Sequence, residues 1–184
     1  MTDTSIERIL LDFEHEQDVG TGVSSKEFGV IIRNSLAPIV ETEEALRSTY
    51  TPFGLDSTVV QPVECRKAVG SLERLNAQIQ AFYELSQSKV QLPFIFAAIC
   101  LKLLFSVQLL EEQTSRLIPL IEGYRAVCMA PSQRAIRHRQ YICITFEKLL
   151  QHIADISLQV EFLESEARFL ERRFLPSKRK TWQR

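Results

Sequence analysis

The sequence predicts an all-α protein, a multi-helix bundle that ends in one long C-terminal helix. Apolar residues recur at spacings of three and four along most of the chain, as on one face of an α-helix. Proline and glycine interrupt this pattern at only a few places, and no convincing strand pattern is present. The 184 residues suffice for one domain with a core, so we expect a helical-bundle domain over residues 1–175 and a basic tail over residues 176–184.

The first two predicted helices each open with a capping box, in which a hydroxyl and an acidic side chain three residues later satisfy free backbone N–H groups. Thr4 and Glu7 open the first helix, which covers residues 4–18. Ser24 and Glu27 open the second, which extends to about residue 49. Proline lacks a backbone N–H, so Pro38 either kinks this second helix or starts a new one.

A third helix is predicted to begin at Pro62, because a proline in the first turn of a helix costs no hydrogen bond. A loop from Thr51 precedes it. The helix extends to about residue 88, and its apolar positions alternate like a heptad seam. These positions are Cys65, Ala68, Leu72, Leu75, Ile79, Phe82 and Ser86.

Residues 92–110 form the most apolar segment of the chain, and their number alone would admit a membrane span. Lys102 lies at the centre, however, and a central lysine costs about 2.5–3.5 kcal/mol on insertion scales. We therefore favour a buried central helix over a membrane span. The helix is expected to continue, kinked, past Pro119 to about Cys128.

The longest helix is predicted from Ser132 to Phe174, roughly 64 Å at 1.5 Å per residue. One apolar stripe runs along it without a gap from Ile142. A second stripe lies on another face, which implies neighbours on both sides, from the same bundle or from another chain. The second stripe consists of Ile144, Leu158, Phe162 and Phe169. We predict that Leu158, Phe162 and Phe169 bind a partner.

No catalytic, phosphate-binding or metal-binding motif is present, so we expect no enzyme, no cofactor and no metal. His152 and Asp155 could resemble a base and its orienting group, but no nucleophile accompanies them, and a structural or surface pair is favoured. The four cysteines lie within apolar helical patterns, which predicts buried free thiols. With no signal-peptide pattern at the start, a cytoplasmic location is expected.

Charge is distributed unevenly, although the formal net charge is only −1. Residues 1–46 carry ten acidic and three basic side chains, whereas residues 172–184 carry six bases and no acid. Bases also open the long helix, against the preference of the helix dipole, so we expect compensation by the acidic first helices. The basic tail contains Lys178, Arg179 and Lys180, for which a solubilising role is favoured over binding of anionic lipid, nucleic acid or an import receptor.

The order of these elements resembles the N-terminal helical domains of fungal NLR-like (STAND) proteins, the group that includes the Goodbye and HeLo-like domains. Three segments carry the resemblance: the proline-introduced apolar helix of residues 90–104, the amphipathic residues 115–124, and the long helix over residues 142–162. The resemblance implies a signalling or cell-death module that oligomerises or acts at a membrane. It implies no catalytic residues.

The sequence therefore favours a non-enzymatic interaction or signalling module that acts by helix–helix association, with a fungal cell-death or incompatibility pathway as the context that the resemblance implies. The expected partner is a protein, either a second copy or a heterologous helical protein. One alternative is a helical bundle that binds or perturbs an anionic membrane surface. Another is a structural subunit of a coiled-coil assembly. Nucleic acid is not an expected partner, because one tryptophan beside the basic tail is no platform for stacking bases.

Overall fold

The computed structural model describes residues 24–54, 60–87, 96–129 and 132–174. Its four α-helices are α1 (Ser25–Tyr50), α2 (Pro62–Gln87), α3 (Ala97–Arg125) and α4 (Gln133–Phe174), with a short 3₁₀ helix, Thr51–Phe53, after α1. The part of the chain so described contains no strand, and α4 is the longest helix with 42 residues. The predicted all-α bundle with a long C-terminal helix is confirmed. The helix predicted over residues 4–18 and the basic tail lie outside the described residues.

The four helices pack as a closed ring, in which α1 contacts α2, α2 contacts α3, α3 contacts α4, and α4 returns to α1. Two polar contacts show the direction of α4 relative to α1. Near the end of α1, Tyr50 Oη donates to Glu147 Oε1 over 2.9 Å. Near the beginning of α1, Arg33 Nη2 lies 3.9 Å from Glu164 Oε2. Residue numbers fall along α4 as they rise along α1, so these two helices are antiparallel.

The capping box predicted for Ser24 and Glu27 is present at the start of α1. The Glu27 backbone N–H donates to Ser24 Oγ over 3.3 Å, and the Ser24 N–H donates to the Glu27 carboxylate over 2.9 Å. The hydrogen bonds from Ser24 lower the pKa of Glu27. Pro38 lies inside α1 and Pro119 inside α3, and neither ends its helix. Packing of the apolar stripes on both sides of each proline outweighs the hydrogen bond that it removes.

The core lies between the inward stripes of the four helices, and it contains the predicted seam residues of α2 from Cys65 to Phe82. The side chain of the last predicted seam residue, Ser86, lies outside the described part. In α2 the buried seam residues are Cys65, Ala68, Leu72, Leu75, Ile79 and Phe82. In α4 they are Ile142, Phe146, Leu149, Ile153, Ile156, Leu163 and Ala167. The Phe28 and Phe96 rings stack at 4.4 Å between centroids and link the start of α1 to the start of α3.

The described part of the most apolar segment, residues 96–110, is not buried on all sides. Helix α3 buries Ile99, Leu103 and Val107, whereas Lys102 and Phe105 are exposed. The prediction of a buried central helix therefore holds for one face of α3 only, because α3 is one member of the ring and not its axis. Among the described helices, none has both the length and the apolar character that crossing a membrane requires.

Backbone carbonyls accept hydrogen bonds from one of the bases that open α4. The acidic residues 4–18, which we expected to contribute to compensation of these bases, lie outside the described residues. Arg139 Nε donates to the Phe53 carbonyl over 2.9 Å, and a second guanidinium nitrogen donates to the Gly54 carbonyl. These carbonyls are at the end of the 3₁₀ helix, so the guanidinium ties the turn after α1 to α4. Arg134 and Arg137 are exposed and make no ion pair with any described residue.

Candidate interaction surface

The second stripe of α4 faces away from the core. Leu158, Phe162 and Phe169 are 54, 59 and 57 % exposed, and Ile144 is 51 % exposed. At about 100° per residue these four positions fall within an arc of about 40°, roughly opposite the buried Leu149. The described part of the bundle thus covers one apolar face of α4 and leaves the other open.

A phenylalanine of α3 is exposed beside the seam with α4. Gln159 Nε2 donates to Ser106 Oγ over 3.0 Å, and Lys102 Nζ lies 3.9 Å from Glu166 Oε2. These four residues therefore form the seam between α3 and α4. Phe105 precedes Ser106 and is 59 % exposed, on the side of the seam away from the core. Because Ser106 contacts Gln159 and Lys102 contacts Glu166, Phe105 lies at the level of residues 159–166 along the axis of α4. We name the four residues Phe105, Leu158, Phe162 and Phe169 the outer patch.

The rim of the outer patch carries both signs of charge. Arg168 forms an ion pair with Glu164 one turn earlier, at 2.5 Å. The Arg173 guanidinium lies 5.9 Å from the centre of the Phe169 ring, a cation–π arrangement that holds this ring at the surface. Glu161 is exposed beside Phe162. An apolar centre with an alternating charged rim is typical of a surface that binds protein.

The structure brings together the three predicted partner-binding residues, because Leu158, Phe162 and Phe169 follow one another along a single face. Ile144 shares their orientation but lies about 21 Å from Leu158 along the helix. The sequence analysis missed Phe105. A helical wheel could have found it, since Phe105 falls off the spacing of the core residues Ile99, Leu103 and Val107. The predicted basic-tail residues lie outside the described residues.

The thiols lie inside the bundle, as expected from the apolar patterns around them. Cys65, Cys128 and Cys143 are buried, Cys100 is half-buried, and all four are free. Burial raises the pKa of Cys65 to about 12, with a further contribution from the neighbouring Cys128. Burial also raises the pKa of Cys100 to about 12. A thiol that stays protonated at neutral pH is a poor nucleophile, so Cys65 and Cys100 act as small apolar groups in the bundle.

A polar cluster lies where the turn after α1 meets α3 and α4. The Cys143 thiol donates to the Phe53 carbonyl over 2.9 Å, and burial raises the pKa of Cys143. Tyr124 packs edge-on against His138 with 5.8 Å between ring centres, and burial raises the pKa of Tyr124. His138 Nε2 is buried without a hydrogen-bond partner among the described residues. These contacts join the turn to the helices and present no activated nucleophile.

His152 and Asp155 both lie on α4, about one turn apart, and both are half-buried. Asp155 accepts a hydrogen bond from Gln151 Nε2 over 2.8 Å, one turn away, and no hydrogen bond joins it to His152 in the described structure. The described residues also contain no group of three histidine, cysteine or acidic side chains placed to hold a metal ion. The pair belongs to the polar surface of α4.

A shallow cleft of about 420 Å³ lies between the end of α1 and the first half of α2. Three of its side chains are basic, namely Arg66, Lys67 and Arg74, and none forms an ion pair with a described residue. Thr49, Val63, Gly70 and Ser71 complete the lining. The sequence analysis did not single out these bases, because their spacing along α2 is that of an ordinary solvated helix face.

Comparison with known proteins adds no relative. No protein-family model, no curated protein and no solved structure matches this chain.

Proposed function

We propose that this protein is a non-enzymatic interaction module that binds a helix of another protein molecule on the outer patch. The observation that carries the proposal is the pair of apolar faces on α4. One face completes the core with residues such as Leu149 and Ile153, while the other leaves Leu158, Phe162 and Phe169 more than half exposed. Contiguous exposed apolar surface with a polar rim marks interaction sites in proteins.

The energetics favour binding at this patch. Complete burial of a leucine or phenylalanine side chain is worth about 1.5–3 kcal/mol, and each patch residue has more than half of its surface left to bury. Aromatic side chains contribute strongly at interfaces, and three of the four patch residues are phenylalanines. The nearly straight row from Leu158 to Phe169 suits a helix laid along α4, with Phe105 beside it.

The charges around the patch favour a protein partner over an anionic membrane surface. A lipid surface of one sign would attract Arg168 and Arg173 but repel Glu161 and Glu166. A protein helix can present both signs in matching positions. The signalling role implied by the resemblance to the Goodbye and HeLo-like domains suits such a module, because signalling domains of that kind act by helix packing.

Sedimentation of a trace of fluorescently labelled chain, in buffer with excess unlabelled chain and in a lysate of its own source, tests this proposal. The wild-type chain should sediment faster than a monomer in at least one of these conditions at high total protein. A variant carrying Leu158→Glu and Phe162→Glu should return to the monomer value, because two carboxylates in the patch would have to be desolvated on binding.

The matched control is Val63→Glu, which places the same charge at an exposed apolar position on α2. It should sediment like the wild type. All three chains should show the same helical circular dichroism and unfolding midpoint, since none of the substituted residues is buried. A patch variant that folds and still forms every complex of the wild type would remove the outer patch from the function.

A further inference from the structure

We propose that the partner is a second copy of this chain, with α4 of each copy antiparallel to the other over residues 155–172. This inference rests on the proposed function, since it uses the same outer patch. The two-fold axis of the pair passes between residues 163 and 164. Two-fold pairs are the commonest oligomers, and they require a surface that complements itself.

The apolar positions complement one another in size in this arrangement. The outward face of α4 follows a heptad spacing, in which Leu158, Phe162, Ser165 and Phe169 occupy successive seam positions. The antiparallel pairing places Leu158 against the partner's Phe169, and Phe162 against the partner's Ser165. Because the pair has a two-fold axis, each of these contacts occurs twice. The small Ser165 leaves room for the large Phe162 ring, so the layers fill without two phenylalanines directly opposite each other.

The charges complement one another in the same register. The next seam positions outward place Asp155 opposite the partner's Arg172, at both ends of the apolar layers. On the flank, Glu161 meets the partner's Arg168, again twice. All four side chains are at least partly exposed and therefore accessible to a second copy. The stretch thus has apolar layers in the middle and opposite charges at each end.

Other registers lack this complementarity. Sliding the antiparallel helices by one heptad in one direction brings Glu161 against its own copy, and sliding them in the other direction does so for Arg168. A parallel in-register pair places Asp155 against Asp155 and Arg172 against Arg172. Like charges opposite one another disfavour all of these arrangements, so the charges select one register.

The position of α4 in the bundle permits the contact. No described element covers the outer patch, and the seam to α3 lies to one side of it. Phe105 of each copy then lies beside α4 of the other. One helix pair of this length buries less than the roughly 800 Å² per partner of a standard interface, so we expect a weak dimer, populated at tens to hundreds of micromolar.

The test is sedimentation equilibrium of purified full-length chains over a wide concentration range at low salt. The wild type should show a reversible monomer–dimer equilibrium. Glu161→Arg alone and Arg168→Glu alone should each weaken the dimer at least about tenfold, because each substitution creates two repulsive pairs. An equimolar mixture of these two variants should dimerise again, because the mixed pair places opposite charges at both contacts.

Ile144→Glu is the matched control. It introduces a charge on the same exposed face of the same helix, outside residues 155–172, and should leave the dimer unchanged. Dimers that form without regard to Glu161 and Arg168 would overturn the proposed register. A wild-type chain that stays monomeric in buffer would overturn the second copy as partner, whether the patch is then covered by the chain's own residues 4–18 or by another protein. The interaction module itself would stand if a patch-dependent complex still formed in lysate.

Discussion

At the scale of single residues, Arg139 does more for the fold than its position on a charged helix end indicates. Its guanidinium satisfies the carbonyls of Phe53 and Gly54, which end the 3₁₀ helix after α1. We expect Arg139→Met to lower the free energy of unfolding by about 1–3 kcal/mol, because methionine keeps an apolar stem but cannot donate to either carbonyl. The Gly54 carbonyl then loses its guanidinium donor, and the Phe53 carbonyl keeps only the weak donor Cys143 Sγ. Urea unfolding followed by far-UV circular dichroism measures this loss.

Arg137→Met is the control for this prediction, because Arg137 is exposed on the same turn and pairs with no described residue. Both substitutions remove one positive charge near the N-terminus of α4, so the helix dipole affects them alike. The control should change stability by no more than about 0.5 kcal/mol. Equal midpoints for the two variants would mean that the carbonyl contacts contribute nothing. The sequence could not reveal this role, since Arg139 and its acceptors lie 85 and 86 residues apart.

At the scale of elements, the two faces of α4 have different roles: the buried face contributes to stability, and we propose that the exposed face contributes to association. Leu149 is fully buried in the bundle, whereas Leu158 lies on the outer patch of the same helix. We expect Leu149→Ala to cost about 2–5 kcal/mol, as large-to-small changes in a packed core do. Leu158→Ala should cost no more than about 0.5 kcal/mol in the monomer, because little is packed against it. Chemical denaturation at a concentration below any self-association compares the two directly.

The two substitutions delete the same atoms from the same helix, so helix propensity cancels between them and only the surroundings differ. Comparable losses would show that the outer face is packed against something in the monomer. The outer patch would then be part of the core and lose its role in binding.

The helices themselves could be predicted from local patterns, because their caps and stripes lie close together in the sequence. Pro62 begins α2, and Ser132 caps α4 by accepting from the Ala135 N–H over 3.1 Å. The effect of Pro38 was undecidable from sequence, since continuity of α1 depends on packing with other helices. The same holds for the second stripe of α4. The spacing of its residues in the sequence predicts this stripe. Whether another helix covers it depends on how all four helices pack.

At the scale of the whole molecule, packing in the closed ring raises the pKa of several phenols and thiols. Tyr50 and Tyr83 donate to Glu147 and Glu111 at helix interfaces, and burial, aided by these carboxylates, raises the pKa of both tyrosines. Burial also raises the pKa of Tyr124. These raised pKa values mean that the fold favours the neutral form of each group, so ionisation costs stability. The bundle should therefore be sensitive to alkali as a unit.

We expect the free energy of unfolding to be constant near neutral pH and to fall as the pH rises above about 9, where thiols and phenols of the unfolded chain begin to ionise. A raised pKa means that the folded chain holds more protons than the unfolded chain in this range. Unfolding therefore releases protons, and a higher pH favours the unfolded state. The loss should continue up to about pH 12, the folded-state pKa of Cys65 and Cys100. Urea midpoints across this range, with tyrosinate absorbance recorded in parallel, test the expectation. Tyr50, Tyr83 and Tyr124 should ionise together with the loss of helix, whereas their ionisation in a chain that remains helical would show that the bundle does not shield them.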